Sequence, residues 1–394
     1  MAYYQPRPTA GRHFLQIPGP TNVPDKVLRA IDNPTMDHRG PDFGRLGGEL
    51  LANLRQIFQT TGPVIIYPAS GTGAWEAALV NTLSPGDAVL MCRTGWFATL
   101  WQEMAERLQL RPRFVETDWR RGADVEGIAE ALRQDRVHAI KAVCVVHNET
   151  STGCTSRIDE VRAAMDAAGH PALLLVDTIS SLGSIDYQHE AWGVDVTVAG
   201  SQKGLMLPPG LSFNAVSDKA LKAAERAGLP RSYWDWRPML AANATGFFPY
   251  TPATNLLYGL DTAVKMLLEE GLGNVFARHD RLAEATRRAV RTWGLEIQCL
   301  DSRHYSSALT AVRLPDGHDA DALRATILDK SNMSLGNGLG MLKGRVFRIG
   351  HLGDFGPLSL IGTLGGVEMG LRQAGVPHRA GGVQAAIDYL AGNA

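Results

Sequence analysis

The chain has 394 residues, 45% of them hydrophobic and 20% charged, with 39 Lys and Arg against 40 Asp and Glu. A formal charge of -1 supplies no basic field for nucleic acid or an anionic membrane, and apolar runs such as Ala142 to Val146 and Ala172 to Val176 stop far below the roughly 20 residues of a membrane helix. Neither partner is therefore expected, and four scattered cysteines, Cys92, Cys144, Cys154 and Cys299, suit a reducing cytoplasm better than a disulfide framework or a Cys-x-x-Cys metal site.

In chain order, the first residues, with Tyr3, Tyr4, Pro6 and Pro8, lack the basic-then-apolar order of a secretory signal, and Ala391 to Ala394 carry no lipidation address. From Val64 to Val216 one unit repeats: a short apolar, β-branched run, a polar or Gly-rich turn, then a helix-like segment. Strands are predicted at Val64 to Tyr67, Ala88 to Met91, Arg113 to Glu116, Ala142 to Val146, Leu173 to Val176, Val194 to Ala199 and Leu211 to Ala215. Helices are predicted between them at Ala74 to Leu83, Thr99 to Leu108, Val125 to Gln134 and Ile158 to Ala168. Strands that alternate with helices and are apolar on both faces predict an α/β fold, with a mostly parallel seven-stranded sheet covered on each side. After Asn255 long helical stretches (Leu256 to Glu270, Asn274 to Trp293) precede alternating segments near Leu295 to Cys299, Ser307 to Leu314 and Arg345 to Ile349. Further helices follow at Asp319 to Lys330 and Pro357 to Gln373, which together read as a smaller α+β domain.

Ligands of such sheets bind beyond the carboxyl ends of the strands. After the first strand come Ala69, Ser70, Gly71, Thr72 and Gly73, whose glycines admit a close ligand and whose free N–H groups at a helix start favour a phosphate. An ordinary capped turn reads equally well at that point. Glu76 stands where a dinucleotide fingerprint needs its third glycine, so that fingerprint fails. The fourth strand ends in His147-Asn148-Glu149-Thr150-Ser151-Thr152-Gly153 and the fifth in Asp177-Thr178, where a carboxylate can simply cap a turn. The sixth runs into Gly200-Ser201-Gln202-Lys203-Gly204, and Lys203 is the only charged residue between Asp195 and Asp218. It is either a snorkelling side chain or a functional amine with a lowered pKa.

One ligand unites these features. A phosphate cradle, a strand-end Asp, a strand-end Lys in an apolar turn and the aromatic Trp96 meet the needs of pyridoxal phosphate. The lysine forms the Schiff base, the acid holds the pyridine nitrogen protonated and the aromatic face stacks on the ring.

With these segments the chain resembles the class V, fold-type I pyridoxal-phosphate aminotransferases, in particular their serine-glyoxylate and alanine-glyoxylate branch. Pro18-Gly19-Pro20-Thr21-Asn22-Val23-Pro24, Pro249-Tyr250-Thr251-Pro252 and Phe347-Arg348-Ile349-Gly350 match as well, in family order over nearly the whole chain. The resemblance implies that Lys203 carries the cofactor and shuttles the proton. It implies that Asp177 pairs with the pyridine nitrogen, Trp96 lies against the ring and Thr150 sits beside the ring oxygen. Ser70, Gly71, Thr72 and Gln202 hold the phosphate by the same likeness, Thr251 reaches the phosphate of a neighbouring subunit, and a homodimer with shared sites follows. The family's tyrosine three positions before that threonine is Phe248 here, which leaves Tyr250 as the substitute. Arg348, otherwise a surface strand arginine, takes on the substrate carboxylate with its two-pronged guanidinium, and Gly19 lies near the same carboxylate. The segment Gly336-Asn337-Gly338-Leu339-Gly340 is read as a mobile loop before the arginine strand, and His38-Arg39 as a surface loop. The chain is then divided into a large cofactor domain, residues 20–258, and a small domain formed by residues 1–19 and 259–394. No metal is expected.

The implied activity is transfer of an amino group from a small L-amino acid to glyoxylate, giving glycine, with serine as the expected donor and aspartate or alanine as alternatives. Cysteine desulfurases share the fold, but they place His before the Schiff-base lysine and stack a His on the ring, where this chain has Gln202 and Trp96. A dinucleotide-dependent oxidoreductase is disfavoured by the broken glycine fingerprint.

Overall fold

A computed structural model describes residues 11–392; expectations that fall on residues 1–10 and 393–394, including Tyr3, Tyr4, Pro6, Pro8 and the far C-terminus, lie outside the described residues. The chain opens with a short strand, β1 (Phe14–Gln16), then helices α1 (Asp25–Ile31) and α2 (Pro41–Phe58). Helix α2 contains Gly44, Gly47 and Gly48, which weaken its signal in the sequence. Gly47 has a packing reason, because a Cβ there would lie 2.1 Å from the carbonyl oxygen of Gly246. The buried stripe Leu50, Leu51, Leu54, Ile57 and Phe58 holds the helix on the core.

The central unit runs β2 (Val64–Tyr67), α3 (Gly71–Thr82), β3 (Ala88–Arg93), α4 (Trp96–Arg107), β4 (Arg111–Glu116), α5 (Val125–Gln134) and β5 (Ile140–Val146). A small hairpin, β6 (Asn148–Glu149) and β7 (Cys154–Thr155), precedes α6 (Ile158–Ala167), β8 (Leu173–Asp177), β9 (Val196–Gly200) and β10 (Ser212–Val216). Seven of these strands form one sheet in the order β2-β10-β9-β8-β5-β3-β4. It is parallel except at β10, which runs antiparallel to both β2 and β9. Alternate residues serve opposite faces: Leu174 and Val176 join one apolar cluster, Leu173 and Leu175 the other. That double burial explains why the strands read as continuous apolar runs.

The chain continues through α7 (Asp218–Ala224), α8 (Trp236–Asn243), α9 (Thr254–Glu270), α10 (Leu272–Trp293), β11 (Glu296–Ile297), β12 (Leu309–Arg313) and α11 (Ala320–Ser331). It ends with β13 (Met333–Asn337), β14 (Val346–Gly350), α12 (Pro357–Gln373) and α13 (Gly382–Gly392). A second sheet has the order β1-β13-β14-β12-β11, with the N-terminal β1 parallel to β13. The glycine-rich segment before the arginine strand is therefore not a mobile loop throughout. Gly336 and Asn337 close β13 and pair with Arg348 and Phe347 of β14. Gly336 is small because a Cβ there would stand 2.7 Å from Pro18 and 3.0 Å from Arg348. Among the described residues no helix is long and apolar enough to cross a membrane.

A buried polar chain ties the sheet to the helix that follows β2. The indole N–H of Trp236 donates to the Tyr67 hydroxyl at 2.7 Å, which donates to Asn214 Oδ1 at 2.9 Å, and Asn214 Nδ2 donates to the carbonyl of Ala74 in α3 at 3.2 Å. Tyr67→Phe should leave the indole N–H and the amide oxygen unpaired and lower unfolding stability by about 1–3 kcal/mol, read from denaturant melts. An unchanged midpoint would show that the chain contributes nothing to stability.

Candidate active site

The strand ends of the large sheet and the edge of the smaller one meet around Lys203. This residue follows β9, in a turn where Met206 N–H donates to the Lys203 carbonyl and Leu207 N–H to that of Ser201. The side chain is 8% exposed, and Nζ donates to the Pro18 carbonyl at 2.5 Å and to that of Gly19 at 3.5 Å. Burial, reinforced by the charge of Arg348, brings its pKa down to about 7, while the charge of Asp177 opposes the shift. The segment carrying Pro18 and Gly19 is held across the turn, since Thr21 donates through N–H to the Gln202 carbonyl and through Oγ1 to that of Lys203. Gly19 has φ +91°, and a Cβ on it would lie 2.3 Å from Lys203 Cδ and 2.6 Å from Nζ. The resemblance assigned Gly19 to the substrate carboxylate. Its nearest functional neighbour is the lysine side chain, and the adjoining Pro18 lies against Gly336, which packs on Arg348.

Asp177 ends β8, and its Oδ1 accepts the Ile179 N–H at 2.7 Å. The carboxylate's other polar neighbour is the indole N–H of Trp75, which reaches no full hydrogen bond. Burial pushes the Asp177 pKa up to about 7, the nearby charge of Glu149 adds to the rise, and the indole N–H of Trp75 and the charge of Lys203 work against it. A cation brought to Oδ2 would relieve this cost.

At the start of α3, Ser70 occupies the N-cap with no side-chain bond, and the first turn contains no acid. Ser70 and Thr72 are exposed, and neither hydroxyl is bonded among the described residues. A Cβ at Gly71 would run into the Ile179 side chain, so a larger residue there would force Ile179 to shift. Gln202 lies nearby on the β9 turn, its buried Oε1 without a partner. The outcome is a helix N-terminus with free donors and no competing anion, the setting that binds phosphate.

Thr150, in the turn between β6 and β7, and Arg348, in β14, are bonded to each other: Arg348 Nη1 donates to the Thr150 carbonyl at 2.8 Å, and Nε to the Asn337 carbonyl at 2.7 Å. One hydrogen on Nη1 and both on Nη2 remain, an open fork for a carboxylate. The Thr150 hydroxyl donates to Ser180 Oγ at 2.7 Å, which leaves its lone pairs free to accept a hydrogen bond. Trp96 begins α4, is half-buried, and packs among Trp119, Leu342 and Leu352.

Two predicted residues stand apart. The Tyr250 hydroxyl donates to the Ile66 carbonyl at 2.7 Å and its ring stacks on Tyr233, so its proton is already committed. Phe248 packs edge-on against Phe43. Thr251 is exposed and makes no hydrogen bond among the described residues.

The structure also brings in groups that sequence reasoning left without a role: Glu149, Ser151, Ser180, Trp75 and the carbonyls of Pro18 and Asn337. Backbone carbonyls carry no residue signature. Glu149, a lone acid at the end of an apolar strand, was the one readable signal. The residues present fit pyridoxal phosphate, with free N–H donors at the start of α3 and the amide group of Gln202 for a phosphate, the buried Asp177 carboxylate for a ring N–H, and a neutralisable amine in Lys203.

Three comparisons accord with this arrangement. The profile of the family described as Aminotransferase class-V matches residues 13–342. The chain is 50% identical, over 97% of its own length and 97% of the relative's, to a serine–glyoxylate aminotransferase of Methylorubrum extorquens. It is 45% identical, over 95% of each chain, to an L-aspartate–glyoxylate aminotransferase of Paracoccus denitrificans. Among solved structures, pyridoxamine-pyruvate aminotransferase from Mesorhizobium loti superposes with a TM-score of 0.91 at 28% identity, covering 98% of this chain and 99% of that one.

Gly19→Ala is expected to push the lysine amine aside and to weaken pyridoxal phosphate binding by roughly tenfold or more, measured by titrating the cofactor into apoprotein. Wild-type affinity in that variant would show that the close approach of Gly19 to Lys203 is incidental.

Proposed function

The chain belongs to the class-V aminotransferases, which are pyridoxal-phosphate-dependent enzymes, and from that premise we propose that it transfers the amino group of serine to glyoxylate, yielding hydroxypyruvate and glycine. The observation that carries the reaction type is the convergence of Lys203, Asp177 and Arg348 at the meeting of the two sheets. Bound there, pyridoxal phosphate supplies an aldehyde that condenses with amines and a protonated ring that draws off the electron pair left when a proton leaves the substrate α-carbon.

The protein's own groups do the rest. Ser70, Gly71, Thr72 and Gln202 hold the phosphate at the start of α3, and Asp177 Oδ2 holds the ring N–H. Lys203 Nζ is the amine that bonds the cofactor. Whenever Nζ is free of the cofactor, its lowered pKa, about 7, would let it take up the proton that leaves the substrate α-carbon and hand it on. Arg348 grips the carboxylate common to serine and glyoxylate through the fork left by its two backbone bonds, which orients the α-hydrogen. Trp96 would cover the ring, and the Thr150 hydroxyl, held by Ser180, would stand beside the ring oxygen. The two half-reactions use the same groups in opposite order, so ping-pong kinetics are expected.

Exposed and unbonded, Thr251 is assigned to the phosphate of a second copy's site, which makes the working unit a homodimer. Residues 20–258 act as the cofactor unit, and the remainder acts as the unit that carries Arg348. All four cysteines are free and buried, which supports a cytoplasmic setting.

Serine is favoured over aspartate by the higher identity to the serine–glyoxylate relative. With glyoxylate as acceptor, kcat/KM for serine should exceed that for aspartate and alanine by about tenfold or more. A larger value for aspartate would replace serine as the donor.

A further inference from the structure

Helix α4 begins at Trp96 after an N-cap, Gly95, that has no side chain with which to cap it. Its first donors are satisfied from another loop. Glu149 Oε1 accepts the Phe97 N–H at 3.3 Å and Oε2 the Ala98 N–H at 3.1 Å, while the Trp96 N–H donates to Ser151 Oγ at 2.9 Å. Ser151 in turn donates to Glu149 Oε1 through its hydroxyl at 2.6 Å and its N–H at 3.1 Å. The space was cleared for this acid, because a Cβ on Gly95 would lie 2.3 Å from Glu149 Cγ. Glu149 is fully buried, and burial raises its pKa against the pull of the surrounding donors.

Every partner of this carboxylate is a donor, which an amide cannot match, since its NH2 would face an N–H or O–H. The residue between the two clamp groups is Thr150, whose carbonyl holds Arg348 and whose hydroxyl is held by Ser180. One three-residue loop thus fixes the start of the Trp96 helix, the hydroxyl of Thr150 and the guanidinium of Arg348.

We propose that Glu149 is a positioning residue of the reaction: by capping α4 from the loop that anchors Arg348, it sets the Trp96 ring and the carboxylate-binding guanidinium in one fixed relation to the cofactor. This rests on the assignment of Trp96 to the ring and of Arg348 to the substrate carboxylate, but not on the choice of donor.

The test is Glu149→Gln, with pyridoxal phosphate titrated into the apoprotein in the absence of any amino acid. Apoprotein that folds should bind the cofactor on the order of tenfold more weakly, from the loss of one charge-assisted bond and the mispairing it leaves. The circular dichroism of the bound cofactor should fall, because a loosened Trp96 no longer fixes the ring, and KM for both serine and glyoxylate should rise. Glu149→Asp, which keeps a carboxylate, should recover part of each effect. A lower melting temperature with cofactor affinity, dichroism and KM unchanged would reduce Glu149 to a structural cap and overturn the proposal. If Glu149→Gln does not fold, Ser151→Ala carries the test: it must show the same three changes in weaker form, and wild-type values in it overturn the proposal. Failure of the wild-type enzyme to use serine would sink the donor assignment alone, because the affinity and dichroism comparisons involve no donor.

Discussion

Lys203 Nζ is buried, and its acceptors are the backbone carbonyls of Pro18 and Gly19 rather than a carboxylate. An ammonium ion in that position loses most of its hydration and recovers only dipoles, so its charged form is disfavoured and the neutral amine becomes accessible near physiological pH. Arg348, a second buried cation, adds to the pressure. Asp177 works the other way, but its own burial weakens that effect by driving its carboxyl towards the neutral form. Each of the three groups is costly alone. An anionic substrate at Arg348 and a cationic ring nitrogen at Asp177 would offset those costs together, which is why this arrangement makes chemical sense as a site and little sense as a stabilising network.

The architecture follows from this need to surround one amine. Lys203, Asp177 and the phosphate cradle come from the ends of β9, β8 and β2, the position where parallel sheets present their loops. Arg348 comes from a second sheet, and the bond between its guanidinium and the Thr150 carbonyl ties that sheet to the hairpin turn that follows β5. The third contribution is the segment after β1, which pairs with β13, crosses the lysine turn through Thr21 and presents the Gly19 backbone to the amine. Small residues appear where these parts touch: Gly19 against Lys203, Gly336 against Pro18 and Arg348, Gly71 against Ile179 and Gly95 against Glu149.

Much of this was legible in the chain itself. The seven strands of the large sheet stood out because residues such as Leu173 to Val176 are buried on both faces, and the strand-end positions of Asp177 and Lys203 followed. Helix starts were harder. The predicted beginnings at Ala74 and Thr99 fell three residues late, because α3 opens on glycines and α4 is capped by Glu149 from a distant loop rather than by a local Ser or Asp. Helix α2 was masked by its glycines, and β13 was hidden by the same Gly-rich composition that lets it pass close to Arg348. Contacts made by backbone carbonyls, such as those of Pro18, Thr150 and Asn337, leave no mark in a sequence because any residue supplies the same atom. Tyr250 shows the converse, a residue that looks available by position but whose hydroxyl is used by Ile66.

The account rests on the amine of Lys203 being neutral near pH 7 because of its surroundings. Apoprotein freed of cofactor can be treated with a small aldehyde and a hydride reductant across a pH series, and the modification of Lys203 quantified by peptide mass. A lowered pKa means that the reactive neutral form is lost as pH falls and complete as pH rises, so labelling should climb through a midpoint near 7 and level off above it. A midpoint near 10, the value of an ordinary lysine, would contradict the account.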